Sequence, residues 1–235
     1  MKNSRIRSMS YMALYVALYI VLKWVGNMIP FLQMPNGGSI ELELIAVFIA
    51  SYHLGWKGGL AVAILSWLIT IVLGFPMYFY WPVQILLDYV LPLAACGIAS
   101  LLFPIRDLNT PGAVALAVIL AAGAFFGIYN SYPEGTAVTV GAIALAAGMF
   151  AFTYWYLKTR SHIGIVAAML LKYVFQVLSG VYFWFPEGEA AGSAYAWTFS
   201  LSYNLWYNLV TMIVCIIVVP LLIDSLKHAG IKFSA

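Results

Sequence analysis

The sequence predicts an all-α integral membrane protein, and three observations carry that reading. Of its 235 residues, 64% are hydrophobic and 8% charged, with a mean hydropathy of +0.97, whereas an ordinary soluble domain carries about 25% charged residues. The apolar residues gather in runs long enough for helices that cross a bilayer, separated by short segments rich in Gly, Pro and aromatic side chains. The basic residues sort to alternate segments between those runs, as the positive-inside rule demands of a multi-pass chain.

Residues 1–7, MKNSRIR, form a basic tail, and the first helix is expected over 8–30, ended by Pro30. That run is too long, and lacks the small-residue cleavage site, for a signal peptide. Ala13 and Ala17 stand in an AxxxA spacing, a groove where another helix can approach closely, in this chain or in a partner. Lys23, in the outer part of the helix, is expected to snorkel outward. After the turn-rich loop 31–40, two helices over 41–54 and 58–74 are expected about the hinge GWKGG. Glu41 and Glu43 lie two apart at a helix start, so they point to opposite sides and one of them at most faces a pocket. A favourable acidic N-terminus is the simpler role for both.

The aromatic loop FPMYFYWP leads into a fourth helix over 83–103. Gln84 and Asp88 lie one turn apart on one face there, with Tyr89 adjacent. An unpaired carboxylate at that depth is costly, so Asp88 is expected to pair with Lys172, to face a ligand, or both. Residues 112–129 and 138–157 read as Ala- and Gly-rich packing helices without an intramembrane charge. The last two helices, 163–185 and 197–223, flank the loop FPEGEAAGSAYA. Cys96 and Cys215 lack metal or redox spacing and read as small core residues.

The expectation is eight transmembrane helices with both termini cytoplasmic. Nine of the eleven Lys and Arg residues then fall inside, and the other two, Lys23 and Lys172, lie within helices. Glu134, Glu187 and Glu189 fall outside. This topology brings segments around Glu41, Tyr78–Asp88, Lys172–Trp184 and Phe199–Asn204 into the external half.

Lys172, Gln176, Gly180 and Trp184 recur every four residues, and so do Ser200, Asn204 and Asn208. Each set forms a stripe on one helix face, and polar groups at membrane depth need a protein interior or a cavity to face. These stripes are expected to wall a small-molecule pocket. Tyr78, Tyr89 and Trp184 offer aromatic faces to planar rings and cations. Asp88 with Glu41 or Glu43 offers carboxylates, and Gln176 and Asn204 offer paired donors and acceptors. A flat, cationic, nitrogen-rich metabolite fits that set better than a sugar, a lipid or a simple ion. The sequence carries no HExxH, no phosphate-binding Gly-rich loop with Lys-Ser/Thr and no nucleophilic triad. An enzyme, an ATPase within the chain, a cofactor, a metal site and a nucleic-acid partner are therefore not expected.

The segments MPNGGS (34–39), PVQILLDY (82–89), LLKYVFQVLSG (170–180), FW (183–184) and FSLSYN (199–204), in this order, resemble the thiamine-specific substrate-binding components of energy-coupling-factor transporters, the ThiT/YuaJ family. The resemblance covers 1–106 and 160–230. It implies a six-helix bundle with a two-helix insertion at 107–159. It also implies capture of thiamine from outside, with release inside driven by a transmembrane coupling subunit and two ATPase subunits on separate chains in the cell membrane. The ligand contacts it implies are Tyr78, Asp88, Tyr89, Lys172, Gly180, Trp184 and Asn204, with Gln84, Gln176, Phe199 and Glu41 joining them around the same site. Ala13 and Ala17 resemble the groove by which such components dock on the coupling subunit. The sequence departs from the family pattern at Asp88, usually Glu, at Gln176, often His, and at Phe199, often Tyr. Two alternatives stay open. One is a component of the same fold for a thiamine precursor or another flat vitamin. The other is a stand-alone ion-coupled secondary transporter using Asp88 and Lys172 as a proton relay, a class that usually shows internal repeats.

Overall fold

The computed structural model describes residues 2–34, 37–102, 110–131, 135–159 and 163–233. Among the described residues every named element is helical, and five helices are long and apolar enough to cross a membrane, with two shorter apolar helices beside them. The expected all-α integral membrane class holds. In chain order the helices are α1 (Lys2–Met28), α2 (Leu44–Val72), α3 (Pro82–Ile85), α4 (Leu91–Gly97), α5 (Ala99–Leu102), α6 (Thr110–Ser131), α7 (Thr136–Thr159), α8 (Ile163–Phe183) and α9 (Ala194–His228). They divide into two compact units, Met1–Pro104 with Ile163–Ala235, and Ile105–His162.

In the first unit α2 is central, packed by α1, α4, α5 and α9. Glu43 through His53 are all buried, the pattern of a helix apolar all round its circumference. The expected hinge at GWKGG is present: Gly55, at φ +78° and ψ 169°, leaves the helical backbone, so α2 is two helical segments joined at a kink, a backbone state open to glycine. Just beyond it Gly59 and Gly97 bring α2 and α4 together. A Cβ on Gly97 would lie 2.9 Å from the Gly59 carbonyl oxygen. Ser51 Oγ donates to Ser100 Oγ at 3.1 Å one layer away.

The fourth predicted helix runs from Pro82 to Gly97 with a π turn inside it, and continues as α5 after Ile98. Between α3 and α4 the chain makes a π turn over Leu86–Val90, where the Leu91 N–H reaches back five residues to the Leu86 carbonyl. Pro92 supplies the reason. It has no N–H for the Asp88 carbonyl, and its ring crowds that oxygen in a regular helix. The wider turn relieves the clash, and such turns recur at functional sites.

Helix ends follow local chemistry. Ser193 caps α9, its Oγ accepting from the Ala196 N–H at 3.1 Å. At the other end Gly230 takes φ +82°, and the Ile231 N–H bonds the Leu226 carbonyl, closing a Schellman turn. The helix therefore runs past the expected end at 223 and through Pro220. Likewise α1 begins at Lys2 rather than 8.

In the second unit α6 and α7 pack on one another. Ala113, Ala117 and Ala142 are fully buried, and aromatic stacks such as Phe150 on Tyr154 run along the helices. Arg106, Glu134 and Arg160, used in the topology reading, and the first residues of the expected insertion at 107–159 lie outside the described residues.

Candidate functional site

The two polar stripes meet. Helices α8 and α9 are antiparallel neighbours, and each four-residue step down one matches a four-residue step up the other. Lys172 Nζ donates to Asn208 Oδ1 at 2.8 Å. Asn208 Nδ2 donates to Gln176 Oε1 at 2.8 Å. Gly180 lies against Ser200 and Asn204, and Ser200 Oγ donates to the Val177 carbonyl at 2.8 Å. Asn204 Nδ2 donates to the Ser200 carbonyl at 2.9 Å, and Tyr207 donates its hydroxyl to Asn204 Oδ1. Gly180 is the residue that permits this: any side chain there would occupy the space of the Ser200 hydroxyl.

Lys172, with 1% of its surface exposed, is the hub of this ladder. Its Nζ lies 2.6 Å from Glu41 Oε2, 2.9 Å from Gln176 Oε1, and 5.6 Å above the Tyr207 ring. The pairing of Lys172 is therefore with Glu41 and not with Asp88. Glu41 is held at the start of α2 by its own backbone N–H, which donates to Thr211 Oγ1 of α9 at 3.0 Å. Glu43 points the other way, as the two-residue spacing requires. Its Oε1 accepts from Lys23 of α1 at 2.8 Å. Lys23 does not snorkel outward, because a nearly buried carboxylate at the same depth offers a stronger partner than the interface.

Asp88 anchors a second cluster. The π turn presents its carboxyl to Gln84 Nε2, at 2.6 Å, and to Trp184 Nε1, at 2.8 Å. Both donors take Oδ2, and the buried Ser179 hydroxyl lies beside the same carboxyl without a well-directed hydrogen bond. Gln84 is fully buried, and it also ties down the aromatic loop. Its Nε2 donates to the Tyr78 carbonyl at 3.1 Å, and its Oε1 accepts from the Tyr80 N–H at 3.2 Å. The Tyr78 N–H donates to the Tyr89 hydroxyl at 2.9 Å. Tyr78 and Tyr80 then meet Trp184 edge-on, with ring centroids 5.8 Å and 5.4 Å away.

Of the expected site residues, Glu41, Lys172, Gln176, Gly180 and Asn204 come together on the α8–α9 ladder. Gln84, Asp88, Tyr89, Tyr78 and Trp184 come together around the carboxyl. Phe199 stacks on Tyr203 at 5.6 Å, the Tyr203 ring meets Tyr207 of the ladder edge-on at 6.4 Å, and the Tyr203 hydroxyl donates to the Gly37 carbonyl of the first loop at 2.9 Å. Pro35 and Asn36 of that loop lie outside the described residues. Ala13 and Ala17 lie on the exposed face of α1, opposite the buried Tyr15, Val16 and Tyr19. Sequence reasoning did not single out Tyr80, Ser179 or Tyr207, and it placed Asn208 on the pocket-wall stripe without counting it among the ligand contacts. For Asn208 the signal was present, since it extends the Ser200–Asn204 stripe by one turn.

The cluster offers an acidic oxygen, amide groups and exposed aromatic faces side by side. Among the described residues no group of three metal-ligating side chains forms. Such an arrangement is chemically suited to a polar planar molecule.

A family model described as "Thiamine transporter protein (Thia_YuaJ)" matches residues 9–230. The thiamine transporter ThiT of Bacillus subtilis (strain 168) is 39% identical over 88 residues, which is 37% of this chain and 44% of that protein. The aligned stretch thus spans less than half of that relative's length.

Proposed function

The chain belongs to the thiamine transporter family, and it is a multi-pass protein of the cell membrane; from that membership we propose that it captures thiamine and passes it inward as the substrate-binding component of an energy-coupling-factor transporter. The observation that carries the reading is the Asp88 cluster. One carboxylate, fixed on a single oxygen by Gln84 and Trp184, stands among aromatic faces that attract a flat cation. Thiamine is such a molecule, an aminopyrimidine joined to a cationic thiazolium.

In this reading Asp88 meets the cationic or amino part of the ligand. Trp184 and Tyr78 cover its rings, and Asn204 and Gln176 meet its polar edge. Tyr89 and Gln84 hold the aromatic loop against the carboxyl, and Gly180 keeps α8 close to α9. Glu41 completes the site through Lys172. Both termini are cytoplasmic, eight helical segments cross the membrane, and the ligand enters from outside. The compact unit Ile105–His162 supports an insertion at 107–159 in a six-helix bundle. Transport energy comes from a coupling subunit and two ATPases on other chains, with the exposed Ala13–Ala17 face of α1 docking on the coupling subunit.

Radiolabelled thiamine uptake into vesicles tests this assembly. The chain alone is expected to bind thiamine without accumulating it, and accumulation appears when a coupling subunit and ATPases are added with ATP inside. Accumulation by the chain alone, driven by a proton gradient, would overturn the component reading in favour of a secondary transporter.

A further inference from the structure

The ammonium of Lys172 fixes the direction of two amides. A lysine ammonium has three donors and no acceptor. Two are donated, to Gln176 Oε1 and Asn208 Oδ1, and the charge is met by the Glu41 carboxylate, whose Oε2 lies 2.6 Å from Nζ as an ion pair. An atom this close to Nζ has to be an acceptor, so Gln176 turns its oxygen inward, and so does Asn208. Asn208 Nδ2 is then aimed at Gln176 Oε1 and donates to it as well. With two donors on its oxygen, Gln176 cannot flip without breaking both bonds. Its Nε2 is left outward, and among the described residues no protein acceptor takes it. Gln176 is half-buried, so this amide remains reachable from the site.

The geometry points to Lys172 and Asn208 as positioning residues for ligand specificity: they lock Gln176 with Nε2 facing the ligand, so the site demands a hydrogen-bond acceptor at that place. Lys172, buried and held by the Glu41 carboxylate, acts through Gln176. The chemical class follows. The bound molecule carries a lone pair, on a ring nitrogen or an oxygen, opposite Gln176, while a cationic or donor group meets Asp88. A ligand with an N–H at the Gln176 position is rejected, because two donors face one another. This inference rests on the proposed pocket and narrows what that pocket accepts.

The test uses thiamine and three analogues, each lacking one acceptor. In two of them a pyrimidine ring nitrogen is replaced by C–H, and in the third the side-chain hydroxyl is replaced by hydrogen. Each is titrated onto purified full-length wild type, Gln176→Glu and Asn208→Asp, with monodispersity checked first. Gln176→Glu keeps the shape and keeps an oxygen for Lys172 and Asn208, but turns an acceptor outward. In wild type one analogue is expected to bind about tenfold more weakly than thiamine, a difference of about 1.4 kcal/mol. In Gln176→Glu that ratio collapses to parity or inverts; taking a ratio cancels the attraction that the added charge exerts on both cations. Asn208→Asp retains an acceptor for Lys172 but removes the donor to Gln176. The Gln176 oxygen then faces a carboxylate oxygen on one side while Lys172 still attracts it on the other, so the amide is no longer held in one orientation by two donors and the same ratio shrinks. If Asn208→Asp fails to fold, Gln176→Glu decides alone. Thiamine binding with ratios unchanged in the folded variants, or with all three analogues equal to thiamine in wild type, overturns this inference and leaves the proposed function standing. Absence of thiamine binding by folded wild type overturns both.

Discussion

Replacing Gly180 by alanine probes the contact on which the α8–α9 ladder depends. In an unobstructed helix this change stabilises by about 1 kcal/mol, because glycine is the poorer helix former. Here the new methyl would meet the Ser200 hydroxyl directly. It would also lie 3.0 Å from Ser200 Cβ and 3.3 Å from Asn204 Nδ2, where ordinary contact begins at 3.4 Å. Turning the Ser200 hydroxyl away forfeits its bond to the Val177 carbonyl and its contact with Asn204, worth about 1 kcal/mol net for a typical bond. The Cβ contact still requires the helices to part by a few tenths of an ångström, and overpacking of this kind costs about 1–3 kcal/mol. The sum is a net destabilisation of about 1–3 kcal/mol, opposite in sign to the propensity effect. Thermal unfolding in detergent, followed by tryptophan fluorescence, reads the sign. Ser200→Gly in the same chain removes the obstruction and is expected to recover most of the loss. A Gly180→Ala protein as stable as wild type or more so, or one that Ser200→Gly does not rescue, would refute the close-packed ladder.

Asp88→Asn removes the charge but keeps the shape, and thiamine affinity should fall about 10- to 100-fold by titration calorimetry, the worth of a charge-assisted contact. Lys172→Met strands the Glu41 carboxylate and should cost about 3–5 kcal/mol in thermal or denaturant unfolding, whereas Lys172→Met with Glu41→Leu should be markedly more stable than the single variant; equal losses would mean that the pair is not coupled. Pro92→Ala allows a regular helix to form through Asp88, so thiamine affinity is expected to fall while thermal stability holds or rises. An unchanged affinity would separate the π turn from ligand binding. Tyr203→Phe removes the bond to the Gly37 carbonyl and should raise the thiamine dissociation rate in stopped-flow fluorescence with little change in stability.

Much of this arrangement is legible in the sequence, for identifiable reasons. The four-residue recurrence of Lys172, Gln176, Gly180 and Trp184 is a local property, and so is that of Ser200, Asn204 and Asn208. A helix turns both into stripes whatever else the fold does. That the stripes face each other follows because neither tolerates lipid. The opposed directions of Glu41 and Glu43 also follow from spacing alone, but their partners do not. Lys23 is far from Glu43 in sequence, and only the packing of α1 on α2 brings the two together. The π turn was signalled by Pro92, four residues after Asp88, yet a proline in an apolar run reads equally well as a simple kink. The early start of α1 at Lys2 was hidden because its first residues are polar and carry no apolar period. Asn208 was visible as a stripe member, but its effect on Gln176 depends on where a lysine places its protons, and composition does not record that.

The measurement closest to the central claim is calorimetric titration of the purified chain with thiamine, run beside Asp88→Ala and Trp184→Ala. The account predicts saturable binding at one site in wild type and its loss in both variants, with each variant still folded. Thiamine binding that survives both substitutions would contradict the site. A folded wild type that takes no thiamine would contradict the ligand.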